Sequence, residues 1–447
     1  MKSQLAITLG KAICFASRFF NIGGGSAAPG LFALRIDPEL VEGLIKKIPT
    51  NVVITGTNGK TTTARLIAHF ARAHNLKVIR NHTGSNLERG IASTLIQNSR
   101  LHLEGVNLNF DLGIWELDEA AFNLVAPKVK PDVVIFLNVF RDQLDRYGEV
   151  DSVVKRWCET LKALPKTTKV LVNGDDSNTS KLDKCFPGKV LKFGVKDYQI
   201  SGESISPKRV KKKLDYEAKD IKLRNLAGSS FTLYTPYSIL HTNLPLPGVY
   251  HIYDAVAALA CSSILFSDTP IHRYTNTLKT FTLKTFSPAF GRVEKFTFKP
   301  QGLNTFKPQD NYIFLIKNPA GTTQVFETIA PQLKSSDRLL LALNDNLADG
   351  TDVSWIWDAQ FEKLPTTNYQ LLTTCSGTRA YDLANRLKYA EFDPKTINTE
   401  PNLEKAFKQA RKDLKGRLFI LPTYTAMLEL QKILVKMGIK KHYWASD

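Results

Sequence analysis

At 447 residues the chain is too long for one compact core, and two or three domains are expected. Its 43% hydrophobic and 23% charged residues exclude a mostly disordered chain, a collagen-like chain and a coiled-coil rod. Lys and Arg number 60 against 42 Asp and Glu, a net charge of +18 that favours anionic partners such as phosphorylated ligands, anionic lipid or nucleic acid.

The first twenty residues are apolar at Leu5, Ile7, Leu9, Ile13, Phe15, Phe19 and Phe20, but Lys11 and Arg18 interrupt them, so no signal peptide is expected. Leu5, Leu9, Ile13 and Phe20 share one helical face. That pattern suits a packing helix or a basic amphipathic helix resting on a membrane surface. No stretch is apolar enough to cross a bilayer. Residues 23–30, with Gly23-Gly24-Gly25-Ser26 and Pro29-Gly30, are loop chemistry. A short helix is expected over residues 37–47, with Asp37 as its cap and Pro38 in its first position.

Residues 51–55 form a buried strand, residues 56–60 a turn, residues 61–74 a helix and residues 76–80 a second strand. This order makes a βαβ unit and hence a parallel sheet. Further strands are expected near residues 111–116, 132–138 and 169–173. Residues 195–245 change to polar alternation and turn signals, read as an inserted antiparallel β module. The densest basic run, Lys208, Arg209, Lys211, Lys212 and Lys213, lies there without an aromatic; it reads as a solvated loop, and no nucleic-acid partner is expected. A strongly apolar helix follows over 252–266. A second α/β series opens at 312–317, with strands near 338–343, 369–373 and 417–421. The expected domains are a helical segment over 1–48, an ATP-binding domain over 49–290 and a second α/β domain over 291–447. The five cysteines are scattered and form no CxxC, which argues against a disulfide framework and a structural zinc site and fits a reducing cytosol.

The stretch Thr55-Gly56-Thr57-Asn58-Gly59-Lys60-Thr61-Thr62 sits between a strand and a helix, where a phosphate loop must sit. Gly56 and Gly59 allow close backbone approach, Lys60 supplies charge for the β- and γ-phosphates, and the Thr61 hydroxyl suits Mg²⁺. The common G-x-x-x-x-G-K-[ST] spacing is not met, so the loop is a variant. It resembles that of the Mur ligase superfamily, which includes the peptidoglycan stem-peptide ligases and folylpolyglutamate synthetases. The resemblance implies ATP, Mg²⁺ and activation of a carboxylate as an acyl phosphate that an amine then attacks. It also implies a Mur ligase-type parallel-sheet ATPase domain followed by a Rossmann-like α/β C-terminal domain.

Further motifs carry the resemblance. Glu116 ends a strand and is placed to reach Mg²⁺ near Thr61. Residues 138–149 resemble a loop that in many Mur ligases holds a metal-binding His; Gln143 stands in its place, and Arg141, Asp142 and Tyr147 become candidate substrate contacts. Asn173 follows a strand in Asn173-Gly174-Asp175-Asp176. His251 and Asp254 occupy a base-facing motif where the family usually has Asn. Arg292, in Gly291-Arg292-Val293-Glu294, matches an inter-domain Arg that meets phosphate.

Two later stretches narrow the resemblance: residues 343–358, with several carboxylates and two Trp, and residues 376–389. They resemble the MurT family, ligase-like subunits of lipid II isoglutaminyl synthases. That implies amidation of the α-carboxylate of D-glutamate in the peptidoglycan stem peptide of lipid II, with ammonia from a GatD-like glutaminase partner. It also implies that an Asp of this chain completes the partner's Cys–His pair; Asp349 is the first candidate, with Asp352 and Asp345 behind it. MurT-like chains often carry a four-Cys zinc ribbon, but no Cys lies between Cys185 and Cys261 here, so no zinc is expected. A cytoplasmic place, at the inner membrane face in the amphipathic-helix reading, follows from the substrate. The alternatives are a Mur or folylpolyglutamate-type amino-acid ligase and a non-catalytic nucleotide-binding scaffold.

Overall fold

The computed structural model describes residues 2–19, 27–81, 85–102, 105–140, 150–201, 204–209, 213–266, 283, 286, 291–298, 309–364 and 371–440. Three helices lead the chain: α1 (Lys2–Phe19), α2 (Ala28–Ile36) and α3 (Leu40–Ile45). The last begins later than the expected residues 37–47. Asp37 Oδ1 accepts the Glu39 N–H at 3.2 Å, which makes a turn, and the helix starts beyond it.

The strands β1 (Thr50–Thr55), β2 (Val78–Arg80), β3 (Arg100–His102), β4 (Gly105–Asn107), β5 (Leu112–Leu117), β6 (Val133–Phe136), β7 (Lys169–Asn173) and β8 (Val190–Val195) follow. They alternate with α4 (Lys60–Ala73), α5 (Glu88–Asn98), α6 (Glu119–Val129) and α7 (Val150–Ala163). Next come β9 (Tyr198–Ser201), β10 (Ser204–Pro207), β11 (Tyr216–Leu223), β12 (Ser229–Tyr234), β13 (Ile239–Leu244) and α8 (Val249–Leu265). Nine strands form one sheet in the order β13-β12-β11-β8-β7-β6-β1-β5-β2, while β3 and β4 form a separate hairpin.

The central strands are apolar on both faces, as a sheet covered by helices on each side requires. Val52 and Ile54 of β1 join a core with α4 and α8. Val53 joins the opposite core, with α5, α6 and α7. There Phe122, Phe136 and Trp157 meet at ring separations of 5.1, 6.1 and 5.0 Å. The Trp157 indole N–H is satisfied by the Glu119 carbonyl at 2.9 Å.

The segment expected as an inserted β module is antiparallel in part but is not a separate unit. Tyr216 of β11 pairs in parallel with Phe193 of β8, and β12 and β13 extend the same sheet. Only β9 and β10 form their own two-stranded ribbon. The scattered cysteines also hold a pairing their spacing did not signal: Cys158 of α7 is joined to Cys185 as a disulfide.

The second sheet runs β14-β15-β19-β16-β17-β18. Its strands are β14 (Arg292–Phe298), β15 (Gln309–Phe314), β16 (Arg338–Ala342), β17 (Thr373–Ser376), β18 (Ile397–Thr399) and β19 (Leu418–Pro422). The strand expected over 369–373 therefore starts at Thr373. Helices α9 (Pro319–Ile329) and α10 (Ala380–Tyr389) pack on one face, α11 (Leu403–Arg411) and α12 (Tyr424–Lys436) on the other.

Gly30 fixes α2 against α5. Its N–H donates to Ser93 Oγ at 2.8 Å, and a Cβ added there would collide with the Arg89 carbonyl oxygen. Gly30→Ala should therefore cost about 1–3 kcal/mol of stability by overpacking, read as a lower midpoint in urea unfolding. An unchanged midpoint would mean that α2 is not held in this contact.

Candidate functional site: the phosphate loop and the inter-domain cleft

The loop after β1 lies at the carboxyl ends of the parallel strands. The chain there turns from β5 on one side of β1 to β6 on the other, the place where open α/β sheets bind ligands. Gly56 and Gly59 have φ of +136° and +92°. A side chain at Gly59 would strike the Asp254 carboxylate, and one at Gly56 would crowd the Asn138 backbone. α4 begins at Lys60, so its free N–H groups open toward the loop.

The loop is gripped from β6. Asn138 Oδ1 accepts from the Asn58 N–H at 2.9 Å, Asn138 Nδ2 donates to the Asn58 carbonyl at 3.0 Å, and the Thr57 N–H donates to the Asn138 carbonyl at 3.0 Å. Lys60 is buried, donates to the Gly56 carbonyl at 2.5 Å and lies 3.5 Å from Asp118. The Thr61 hydroxyl donates to Glu116 Oε2 at 2.7 Å. Burial raises the Glu116 carboxyl above its usual range, against the pull of Thr61 and of Arg80, Arg292 and Lys60. Glu116 and Thr61 thus fit a hard cation that takes its other ligands from phosphate and water. Among the described residues no group of three or more His, Cys, Asp or Glu could hold a metal ion by itself.

The second domain closes over this loop. Asn318 and Asn58 exchange amide hydrogen bonds at 3.0 and 3.2 Å, Lys317 Nζ donates to the Thr57 carbonyl at 3.1 Å, and Arg292 Nη1 donates to Thr62 Oγ1 at 3.3 Å. A cleft of about 830 Å³, its open mouth included, lies between the domains. Phe140, Ile200, Ile205 and Val325 give it apolar walls; Asn58, His251, Asp254, Arg292 and Lys317 give it polar ones. Two of those walls come from the β9–β10 ribbon, which also touches α9 through the Gln324 amide and the Ile205 carbonyl, 3.5 Å apart.

Gly56, Thr57, Asn58, Gly59, Lys60, Thr61, Thr62, Glu116, His251, Asp254 and Arg292 therefore gather around one loop and cleft. Asn173 does not line the cleft. It is fully buried; its Nδ2 donates to the Leu137 carbonyl at 2.8 Å and its Oδ1 accepts from the Asp175 N–H at 3.0 Å. Arg141, Asp142 and Tyr147 lie outside the described residues. Asn138, Lys317 and Asn318 carry the loop's geometry but had no role assigned from sequence. Asn138 opens the 138–149 stretch, and only its register opposite Thr57 reveals its use.

The acidic loop after β16 is a separate place. Asp349 is buried; it accepts from the Thr425 N–H at 2.8 Å and the Thr425 hydroxyl at 2.5 Å, at the start of α12. Burial raises its carboxyl. Asp345 accepts from Thr378 Oγ1 at 2.8 Å and pairs with Arg379 at 2.8 Å; these partners hold it below the usual range. Asp352 is exposed and accepts the Ser354 N–H at 2.8 Å. Exposed Leu347, Trp357, Tyr381 and Tyr389 lie on this loop and on α10.

Two family models match the chain: the Mur ligase middle domain over residues 54–262 and the MurT ligase C-terminal domain over residues 315–427. The chain is 31% identical over 455 residues to the lipid II isoglutaminyl synthase (glutamine-hydrolyzing) subunit MurT of Staphylococcus aureus, covering 96% of each chain. It is 29% identical over 469 residues to the subunit of that name from Streptococcus pneumoniae, covering 98% of each. Its fold is similar to that of MurF from Acinetobacter baumannii, with a TM-score of 0.65 at 15% identity over 92% of this chain and 81% of that one. It is also similar to that of a Mycobacterium tuberculosis folylpolyglutamate synthase solved with ADP and AMPPCP, with a TM-score of 0.62 at 14% identity over 90% and 93%.

Two buried groups of the cleft make a pH prediction. Burial pushes Asp254 up to about 8 and His251 down to about 3. In an unfolded chain they titrate near about 3.9 and about 6.5. The stability that Asp254 allows is whole below about pH 4 and is lost as pH rises toward about 8; that of His251 is whole above about pH 6.5 and is lost as pH falls. The two slopes oppose between about pH 4 and 6.5, which leaves Asp254 alone from about pH 6.5 to 8. Asp254→Asn should remove a decline of up to about 1.4 kcal/mol per pH unit in that upper window, measured by denaturant unfolding at several pH values. Equal declines in both proteins would rule out Asp254 as the group responsible.

Proposed function

Because the chain belongs to the MurT family of Mur ligase-type subunits, we propose that it is the ATP-using subunit of a glutamine-hydrolysing lipid II isoglutaminyl synthase. The reaction is the ATP-dependent amidation of the α-carboxylate of D-glutamate in the peptidoglycan stem peptide, which gives D-isoglutamine. The single observation that carries the reading is the pairing of a variant phosphate loop with a MurT-type C-terminal domain in one chain. An amino-acid-adding ligase shares the first but not the second.

A free carboxylate is a poor electrophile, and its oxygen leaves badly. Phosphorylation gives it a leaving group, and ammonia then attacks the acyl phosphate. Gly56, Thr57, Asn58 and Gly59 supply backbone to the phosphates, and Lys60 and Arg292 offset charge that builds during transfer. The apolar walls of the cleft accept the adenine, beside His251 and Asp254. Glu116 and Thr61 are the residues that would hold Mg²⁺, which when bound would neutralise phosphate charge. Arg141, Asp142 and Tyr147 remain candidate contacts to the muropeptide.

Ammonia comes from a GatD-like glutaminase that docks on the C-terminal domain. The exposed Leu347, Trp357, Tyr381 and Tyr389 support that surface, since aromatic anchors dominate stable interfaces. Asp349 completes the partner's Cys–His pair, with Asp352 and Asp345 as alternatives. The Asp349 carboxylate accepts from Thr425 at the head of α12, with Thr423 and Tyr424 also donating to it, and is held rigid there. The membrane-linked substrate puts the complex at the cytoplasmic face of the membrane.

Lys60→Ala should lower amidation at least about a hundredfold with either nitrogen source, because it removes charge from the transition state of phosphoryl transfer. Turnover like that of the unaltered protein would sink the ATP-site assignment. Asp349→Asn should remove glutamine use by the complex at least about a hundredfold while the reaction with free ammonia stays within about twofold. An equal loss in both reactions would assign Asp349 to folding or to the synthetase site. Loss in neither would pass the role to Asp352 or Asp345, tested in the same two assays.

A further inference from the structure

We propose that the outward face of α1, with the adjoining part of α2, is an interfacial surface that seats the protein on an anionic bilayer. α1 has two apolar faces. Ala6, Ile7 and Cys14 are buried in the body of the protein. Leu5, Leu9, Phe15 and Phe19 face solvent, with exposures of 61, 38, 73 and 73%. With Ala12 and Ala16, also exposed, they form one stripe along the helix at steps of three and four residues. α2 packs along α1 and adds Leu31 and Phe32, which are exposed as well. A surface helix of a soluble domain ordinarily carries charge on its outer face, and a contiguous apolar patch there marks an interaction site.

Charge selects the occupant. Lys2 on α1 and Arg35 on α2 are exposed, Lys11 instead gives its ammonium to the Ser99 carbonyl at 2.6 Å, and neither helix contains an Asp or Glu. The Arg35 guanidinium lies 5.4 Å over the Phe32 ring, so a cation sits at the edge of the apolar patch. Asp37, just past α2, accepts from Ser3 Oγ at 2.6 Å. An apolar stripe with basic flanks matches acyl chains bordered by anionic headgroups. A second copy is a poorer match, because face-to-face contact would oppose the same cations in a chain of net charge +18. No described helix is long and apolar enough to cross a membrane, so α1 lies in the interface and does not span it. The use of such a surface, to meet a lipid-linked substrate, rests on the proposed function; the surface chemistry does not.

The test is sedimentation of the full chain with phosphatidylcholine vesicles, with and without about one-third phosphatidylglycerol. The chain should bind the anionic vesicles at least about tenfold more tightly, and less so in high salt. Leu5→Ser combined with Phe15→Ser should weaken that binding at least about tenfold without moving the melting temperature, because both side chains are exposed. Arg35→Gln with Lys2→Gln should reduce the preference for anionic vesicles. Equal vesicle binding by the Leu5/Phe15 variant, or an unaltered protein that dimerises through this face and ignores vesicles, overturns the proposal. Amidation of a water-soluble muropeptide separates the two readings. Normal amidation without vesicle binding overturns only the membrane surface. Vesicle binding lost in the Leu5/Phe15 variant upholds it even where no amidation is found.

Discussion

A phosphate loop works only if its own polar backbone is already satisfied on the side away from the ligand. Here that condition is met chiefly by Asn138, whose amide both accepts from and donates to Asn58, while its carbonyl takes the Thr57 N–H. The grip leaves the N–H groups at the start of α4 as the ones still aimed outward. It also explains why the loop departs from the common spacing. With Gly56 at a φ of +136° against Asn138, the turn is made in fewer residues, and the strand next door does what a longer loop would do for itself.

The second domain depends on the same loop. Lys317, Asn318 and Arg292 reach Thr57, Asn58 and Thr62, so the relative placement of the two domains is written partly in the conformation of those three residues. This brings Lys60, Lys317 and Arg292 close together, a costly arrangement of like charge unless anions face it. Glu116 and Asp118 supply part of the balance, and Glu116 does so from full burial, which raises its carboxyl. A phosphate and a divalent cation entering together would complete the balance on both sides. Domain closure and ligand charge are therefore coupled through one short segment.

Much of this was legible in the sequence, for physical reasons that differ by element. Strand β1 and the loop after it could be read because a run buried on both faces and a Gly-Lys-Thr turn are local signals. The roles of His251, Asp254 and Arg292 came from resemblance, and the structure gathers them at the cleft. Asn173 shows the limit: its motif follows a strand in the expected place, yet its amide braces Leu137 and the turn at Asp175, which only side-chain direction reveals. Residues 195–245 read as an inserted antiparallel module because alternation reports one exposed face, not which sheet a strand joins; β11–β13 extend the first sheet. The Cys158–Cys185 pairing was invisible because a helix and a loop 27 residues apart meet only through tertiary packing.

The β9–β10 ribbon shows how a segment without metal-binding cysteines still has a structural task. Ile200 and Ile205 face the cleft, and the Ile205 carbonyl meets Gln324 of α9. The Ile200 N–H of the ribbon donates to the Asp175 carbonyl at 2.9 Å, and the Asp175 carboxylate accepts from the Tyr253 hydroxyl of α8 at 2.8 Å and from the Val195 N–H of β8 at 2.6 Å. The ribbon is thus anchored to the first domain through buried Asp175, whose carbonyl takes the Ile200 N–H, and reaches the second by the Ile205 carbonyl. A zinc site would stiffen such an arm by coordination; here hydrogen bonding to a buried Asp and apolar contact do it. The phosphate loop hangs on the first sheet, whereas the Asp349 loop follows β16 of the second and lies apart from the cleft. The proposed roles of Lys60 and Asp349 therefore share no side chain, so a substitution at one place leaves the support of the other intact.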